Sequence, residues 1–197
     1  MSDEPILKPD AVALVTGASA GIGIAITEAL VAKDCQVICS GRRLDRLEAL
    51  AERLGDNCHA VELDVADAGA TAGLIDNLPE GLRDIDILIN NAGHDVGGRR
   101  PFIDGDAEDW ASIIETNVTG LIRVSHAVIP GMVARGRGHV INLGSISGLG
   151  PAPECNVYTA SKFAVHGFSR NLRLDFAGTG IREDALADVR ASGQLHK

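Results

Sequence analysis

The most restrictive feature of the sequence is a junction near its start. Ala11–Thr16 (AVALVT) is a short apolar run that leads into Thr16-Gly17-Ala18-Ser19-Ala20-Gly21-Ile22-Gly23, after which Ile22, Ala25, Ile26, Ala29 and Leu30 recur at helical spacing. Glycines at these points permit a tight turn and a close backbone approach to an anion. The helix that follows offers unpaired N–H groups and a partial positive end. A G-x-x-x-G-x-G string alone is a moderate signal, but its place between a strand and a helix supplies the context of a dinucleotide pyrophosphate site. Gly17, Ser19, Gly21, Ile22 and Gly23 are therefore candidate cofactor contacts. A purely structural turn is the alternative.

The same alternation continues along the chain. Gln36–Ser40, His59–Leu63, Ile85–Asn90 and His139–Leu143 read as strands. Leu44–Leu54 reads as an amphipathic helix and Ala66–Leu78 as a weaker one. A long helical stretch from about Glu108 to Arg135 is expected to bend or break at Pro130, and Asn156–Phe176 forms a further helix. Apolar strands alternating with helices predict an α/β fold, a doubly wound parallel sheet covered on both faces. In such sheets ligands bind beyond the carboxyl ends of the strands. The glycine-rich turns at Gly17–Gly23, Asn91–Gly93 and Gly144–Gly148 all follow strand ends and should gather at one edge.

Bulk properties narrow the function classes. A chain of 197 residues suggests one domain, with residues 1–10 as an N-terminal tail. The net charge of −9 disfavours a nucleic-acid partner, which would need a clustered excess of Lys and Arg. No apolar run is long enough to span a membrane, and the acidic start does not resemble a signal peptide, so a cytoplasmic location is expected. Cys35, Cys39, Cys58 and Cys155 show no metal-ligand spacing and read as reduced, buried thiols. The histidines form no i, i+4 pair, and no metal site is expected.

Charge also bears on the choice of dinucleotide. An NAD site would present Asp or Glu to the adenosine ribose about twenty residues beyond the glycine turn. Here the second strand ends in Ser40-Gly41-Arg42-Arg43. Two guanidiniums suit a ribose 2′-phosphate, so Arg42 and Arg43 favour NADP(H) over NAD(H). The competing view is a solvated helix-start arginine paired with Asp45.

Tyr158 and Lys162 stand four residues apart in VYTASKFAV and so share a helix face. A free tyrosine titrates at about 10, and a neighbouring ammonium stabilises its phenolate. The pair is a plausible general acid/base, although Y-x-x-x-K alone is common by chance.

In company with other motifs, the chain resembles the short-chain dehydrogenase/reductase family. T-G-x-x-x-G-x-G matches at Thr16–Gly23, Asp64-Val65 follows strand three, and N-N-A-G stands at Asn90–Gly93. Asn117 lies in ETNVTG, Ser145 precedes Tyr158 by the family's serine-to-tyrosine interval, and Lys162 completes the set. The resemblance runs from about Val12 to Arg182.

It implies a Rossmann-type domain that transfers a hydride between nicotinamide and a carbonyl or secondary alcohol. Tyr158 would exchange the proton with the substrate oxygen, and Ser145 would donate a hydrogen bond to that oxygen. Lys162 would bind the nicotinamide ribose and depress the tyrosine, while Asn117 would hold a water in the proton path. Cofactor contacts are implied for Asp64, Val65, Asn91, Ala92 and Gly93, together with Tyr158 and Lys162. Homodimers or homotetramers through the two long helices are expected. GRR after strand two, Pro130–Val133, Asn156–Tyr158 and Leu172–Arg182 resemble the branch acting on small 3-hydroxy acids such as serine. Arg99 and Arg100, or His94 and Asp95, are candidates for touching substrate, with solvated loop roles as the alternative.

The resemblance ends after Arg182. Glu183–Lys197 (EDALADVRASGQLHK) has neither an apolar strand nor a Pro-Gly turn and reads as a polar helix or tail. The expectation is a domain truncated after its sixth main helix, with an unpaired sheet edge and weakened substrate closure. A dinucleotide-binding protein without catalysis is then the alternative function.

Overall fold

The computed structural model describes residues 7–186. Six parallel strands are β1 (Val12–Thr16), β2 (Gln36–Gly41), β3 (Cys58–Glu62), β4 (Ile87–Asn90), β5 (Gly138–Leu143) and β6 (Ile181–Leu186). They form one sheet in the order β3-β2-β1-β4-β5-β6. The main helices are α1 (Gly21–Val31), α2 (Leu44–Leu54), α3 (Ala68–Ala72), α4 (Ala107–Ile114), α5 (Leu121–Arg135) and α6 (Asn156–Asp175). This is the doubly wound parallel architecture that the alternation predicts, with the winding order reversing between β1 and β4.

Both faces of the sheet are covered, so the central strands need not alternate apolar with polar residues. Leu14, Ile38, Leu88 and Val140 pack on one face with Val124, Val128 and Met132 of α5. Ala13, Val15, Val37, Cys39 and Ile89 pack on the other with Leu47 and Leu50 of α2. Truncating a fully buried side chain such as Leu14 would cost roughly 2–5 kcal/mol. All four cysteines are buried and unbridged.

Three elements differ from the sequence reading. The third helix is only Ala68–Ala72 rather than Ala66–Leu78. Gly69 and Gly73 weaken helical propensity there, and the following residues turn. Second, α5 continues through Pro130 without a break. His126, whose carbonyl loses its helical partner to the proline, lies with Pro130 on the exposed face, where water can satisfy it. The irregularity falls instead at Glu115–Gly120, a π turn between α4 and α5.

The third difference corrects the expected bare edge. Ile181–Leu186 is a sixth strand, parallel to β5 in the register Gly138↔Ile181 to Leu143↔Leu186. Main-chain pairing holds it, and its polar side chains find partners. Asp184 meets His139 at 2.9 Å and Arg182 at 2.7 Å. Glu183 accepts from Asn142 at 3.3 Å and faces Arg173 at 3.5 Å. A strand whose middle is Arg182-Glu183-Asp184 carries no apolar pattern to be read. The rest of the expected tail, residues 187–197, lies outside the described residues.

Candidate active site

A cleft of about 760 Å³ opens at the carboxyl ends of the strands, where the glycine turns converge. Its walls include Gly17, Ser19, Gly21, Ile22, Arg42, Arg43, Asp64, Val65, Asn91, Ala92, Gly93, Ser145, Tyr158 and Lys162. These residues come from segments up to 145 positions apart in sequence, counting from Gly17 to Lys162. The fold brings them together.

The β1–α1 turn is built on close approach. A Cβ on Gly23 would lie 2.5 Å from the Gly17 carbonyl oxygen, so only glycine fits. Helix α1 begins at Gly21 after an extended Ala20, with no side-chain cap on its first turn. Its leading N–H groups therefore remain available to an anion at the mouth of the cleft. Asn91 braces this turn, donating from Nδ2 to the carbonyls of Thr16 at 2.8 Å and Gly17 at 3.1 Å. Its side chain is thus engaged with the turn itself. Thr16, which entered the sequence reading only as the opening residue of the glycine motif, accepts at Oγ1 from the N–H groups of Asn91 at 3.1 Å and Ala92 at 3.0 Å. A threonine closing an apolar strand gives no signal of that role.

Beside this turn, Arg42 and Arg43 stand after β2. Arg43 bonds Ser19 Oγ, tying the two turns together. Asp64 accepts the Ala66 N–H at 3.0 Å, fixing the turn after β3. This set, an open helix start flanked by forked cations, matches the chemistry of a dinucleotide carrying an additional phosphate.

Ser145 caps a short helical turn at Ile146–Gly148, and its Oγ accepts the Ser147 N–H at 3.1 Å. That contact uses a lone pair and leaves the hydroxyl proton free to be donated. Lys162 is buried, and Nζ donates to the Leu143 carbonyl at 2.8 Å. Burial pushes its ammonium down to about 8. Nζ lies 5.7 Å from the centroid of the Tyr158 ring, so the helical spacing does place the two groups together.

Asn117 sits buried in the π turn. Its Nδ2 donates to the His94 carbonyl at 3.0 Å and to Ser161 Oγ at 3.1 Å, and its Oδ1 accepts the His94 N–H at 2.9 Å. Both amide protons are committed to the protein, so this side chain holds the loop after β4 against α6. Ser161 in turn donates to the Tyr158 carbonyl at 2.7 Å. Arg100 is held by Asp109 at 2.9 Å and lies over the Trp110 ring, while Arg99 is exposed. Neither arginine lines the cleft. His94, Asp95 and Thr116 do.

Comparison with known proteins agrees with this geometry. A family model described as short chain dehydrogenase matches residues 11–187. The NADP-dependent 3-hydroxy acid dehydrogenase YdfG of Salmonella typhi is 46% identical over 171 residues, 87% of this chain and 68% of the relative. Sulfoacetaldehyde reductase 2 of Chromohalobacter salexigens is 42% identical over 187 residues, 93% of this chain and 74% of that protein. Among solved structures, serine dehydrogenase from Escherichia coli superposes with a TM-score of 0.86 at 43% identity, covering 89% of this chain and 81% of the other. A closed form of serine dehydrogenase complexed with NADP+ gives a TM-score of 0.86 at 44% identity, covering 88% and 70%.

Proposed function

Since this chain belongs to the short-chain dehydrogenase family, we propose that it is an NADP(H)-dependent oxidoreductase acting on a small hydroxy acid or the matching carbonyl acid. The observation that carries this reading is the meeting of Ser145, Tyr158 and Lys162 with the Gly17–Gly23 turn in one cleft. The names of the relatives, a 3-hydroxy acid dehydrogenase and a sulfoacetaldehyde reductase, both point to small acidic substrates.

In this reading the start of α1 and the glycine turn hold the pyrophosphate, and Ser19, Arg42 and Arg43 hold the 2′-phosphate. Asp64 and Val65 border the adenine, while Asn91, Ala92, Gly93 and Lys162 border the nicotinamide ribose. When bound, NADP(H) supplies or takes up the hydride. Ser145 donates its hydroxyl proton in a hydrogen bond to the reacting oxygen and polarises it. Tyr158 passes its phenolic proton to that oxygen during reduction and takes one from it during oxidation. Lys162, held on the Leu143 carbonyl, places its charge beside Tyr158 and stabilises the phenolate left behind. Asn117 acts as a positioning residue, setting the loop at His94 and the helix at Ser161.

Exposed Ile114 and Ile122 near the ends of α4 and α5, with Phe163 on α6, suit association into a homodimer or homotetramer.

Tyr158→Phe tests the chemistry. Turnover of a 3-hydroxy acid should fall by roughly a thousandfold or more, in line with loss of a general acid/base, while NADPH titration shows retained binding. Surviving turnover would remove Tyr158 from the role. A native chain that binds NADPH and turns over no alcohol or carbonyl would instead be a dinucleotide-binding protein without catalysis.

A further inference from the structure

The charged side chains lining the cleft divide into two groups. Arg42, Arg43 and Asp64 follow β2 and β3, at the end assigned to the adenosine half. Lys162 stands at the reacting end but is buried against the Leu143 carbonyl and assigned to ribose and Tyr158. Among the described residues, His94 and Asp95 are the remaining charged or chargeable side chains of the lining apart from Tyr158. Among the basic side chains of the lining, His94 is therefore the one not already assigned.

His94 is also built to serve as a fixed contact. Asn117 grips its peptide on both sides, accepting its N–H at 2.9 Å and donating to its carbonyl at 3.0 Å. The ring is oriented by Thr116, whose Oγ1 lies 3.2 Å from Nε2. With Nε2 held there, Nδ1 has no hydrogen-bond partner among the described residues. The contacts immobilise a half-buried imidazole at the cleft wall before any ligand arrives, which lowers the ordering cost of binding.

We propose that His94 is the anion anchor of the substrate half of the cleft, a ring N–H receiving the acid group while Ser145 and Tyr158 receive the alcohol or carbonyl oxygen. The proposal rests on the oxidoreductase reading above and adds the recognition of charge. An imidazole N–H gives a directed hydrogen bond to an ionised acid group. Asp95, on the same wall, works against the anchor, because its carboxylate repels a bound anion. The two neighbours should therefore have opposite effects on selectivity. A merely structural role for this loop gives no reason for that.

The test compares 3-hydroxybutyrate with its neutral isostere 3-hydroxybutanamide as substrates in the presence of NADP+, for the native chain, His94→Gln and Asp95→Asn. The quantity read is the ratio of kcat/KM for acid over amide, with NADPH titration confirming that each variant retains its cleft. The native chain should prefer the acid. His94→Gln should lower the ratio by roughly ten- to hundredfold, the weight of one charge-assisted hydrogen bond, mostly through KM. Asp95→Asn should raise it.

A His94→Gln protein that keeps the native ratio overturns the anchor and leaves the oxidoreductase reading in place. An Asp95→Asn protein with a lowered ratio overturns the proposed opposition. A native chain that oxidises both substrates without preference removes acid recognition, and the anchor with it. A native chain that binds NADPH and oxidises neither overturns both the anchor and the functional reading beneath it.

Discussion

The guanidinium of Arg43 closes on the hydroxyl of Ser19, with Nε at 3.1 Å and Nη2 at 2.9 Å. This contact joins the end of β2 to the glycine turn after β1 and holds a permanent positive charge at the rim of the cleft. A ribose 2′-phosphate placed there would meet a serine hydroxyl and a forked cation together.

Arg43→Ala, alone or with Arg42→Ala, should therefore weaken NADPH binding by roughly ten- to hundredfold and NADH binding by far less. Parallel fluorescence titrations read the difference. Equal losses for both nucleotides would mean that the arginines support the fold of the turn and do not select the phosphate.

Lys162 sets stability against function. Its ammonium titrates at about 8 in the folded chain against an ordinary 10.5, because burial disfavours the charge. Between those values the unfolded chain binds more protons than the folded one, so this group makes stability rise as pH climbs from about 8 to 10.5. The whole difference is worth at most roughly 3 kcal/mol. Lys162→Met removes that penalty and also loses the bond to the Leu143 carbonyl. The net effect should be a protein about 1 kcal/mol more stable at pH 7, with a flatter pH profile and no turnover. Denaturant melts across pH 7–10 provide the check. An unchanged profile in the variant would show that Lys162 is not the group responsible.

Two glycines of the same turn should respond differently to alanine. At Gly23 a new Cβ would stand 2.5 Å from the Gly17 oxygen and 2.8 Å from Ala18 Cα, both backbone atoms that have little room to give. Gly23→Ala should cost on the order of 3 kcal/mol and abolish measurable NADPH binding. Gly21 has open space around it but a φ of +54°, so Gly21→Ala should cost only about 1 kcal/mol from the left-handed backbone. Urea melts of the two variants, run with an NADPH titration, distinguish crowding from conformational strain. Equal costs would sink the distinction.

Glu183 is a buried carboxylate on the edge strand. Burial pushes its carboxyl above the ordinary 4.5, against the pull of Ser169, Arg173 and Asn142. As pH rises above that value the unfolded chain releases its proton first, so the folded state holds more protons and loses stability with increasing pH. Glu183→Gln keeps the shape without the charge. It should flatten this slope and stabilise the protein at pH 7 by on the order of 1 kcal/mol. A lower thermal midpoint at neutral pH would show instead that the Arg173 pairing outweighs the burial cost.

The sequence was most informative where structure is local. The β1–turn–α1 junction, the helix face shared by Tyr158 and Lys162, and the amphipathic α2 all follow from spacings of a few residues. The break considered at Pro130 does not occur, because whether a helix ends depends on whether the orphaned carbonyl can reach water, which is a property of the packed surface. Glu183 and Asp184 misled in the other direction. Their strand is held by β5 and by His139, Asn142 and Arg173, none of which is a sequence neighbour.

The candidate site shows the same division. Its residue types and their order were legible, but the work done by some was not. Asn91 braces the glycine turn and Asn117 grips His94 and Ser161, contacts that span up to 75 positions of sequence. Thr116 and Ser161 gave no signal, and the motif position of Thr16 did not disclose its bracing role, since a hydroxyl becomes meaningful only when its partner is known.

By itself the sequence determined the alternating elements, the glycine turn between β1 and α1 and the helix face shared by Tyr158 and Lys162, because periodicity and turn preference act over one or two helical turns. The tertiary structure decided the sixth strand, the burial of Lys162 on the Leu143 carbonyl and the grip of Asn117 on the His94 peptide. Those depend on desolvation and on hydrogen bonds between distant segments, and both are settled only when the sheet has assembled.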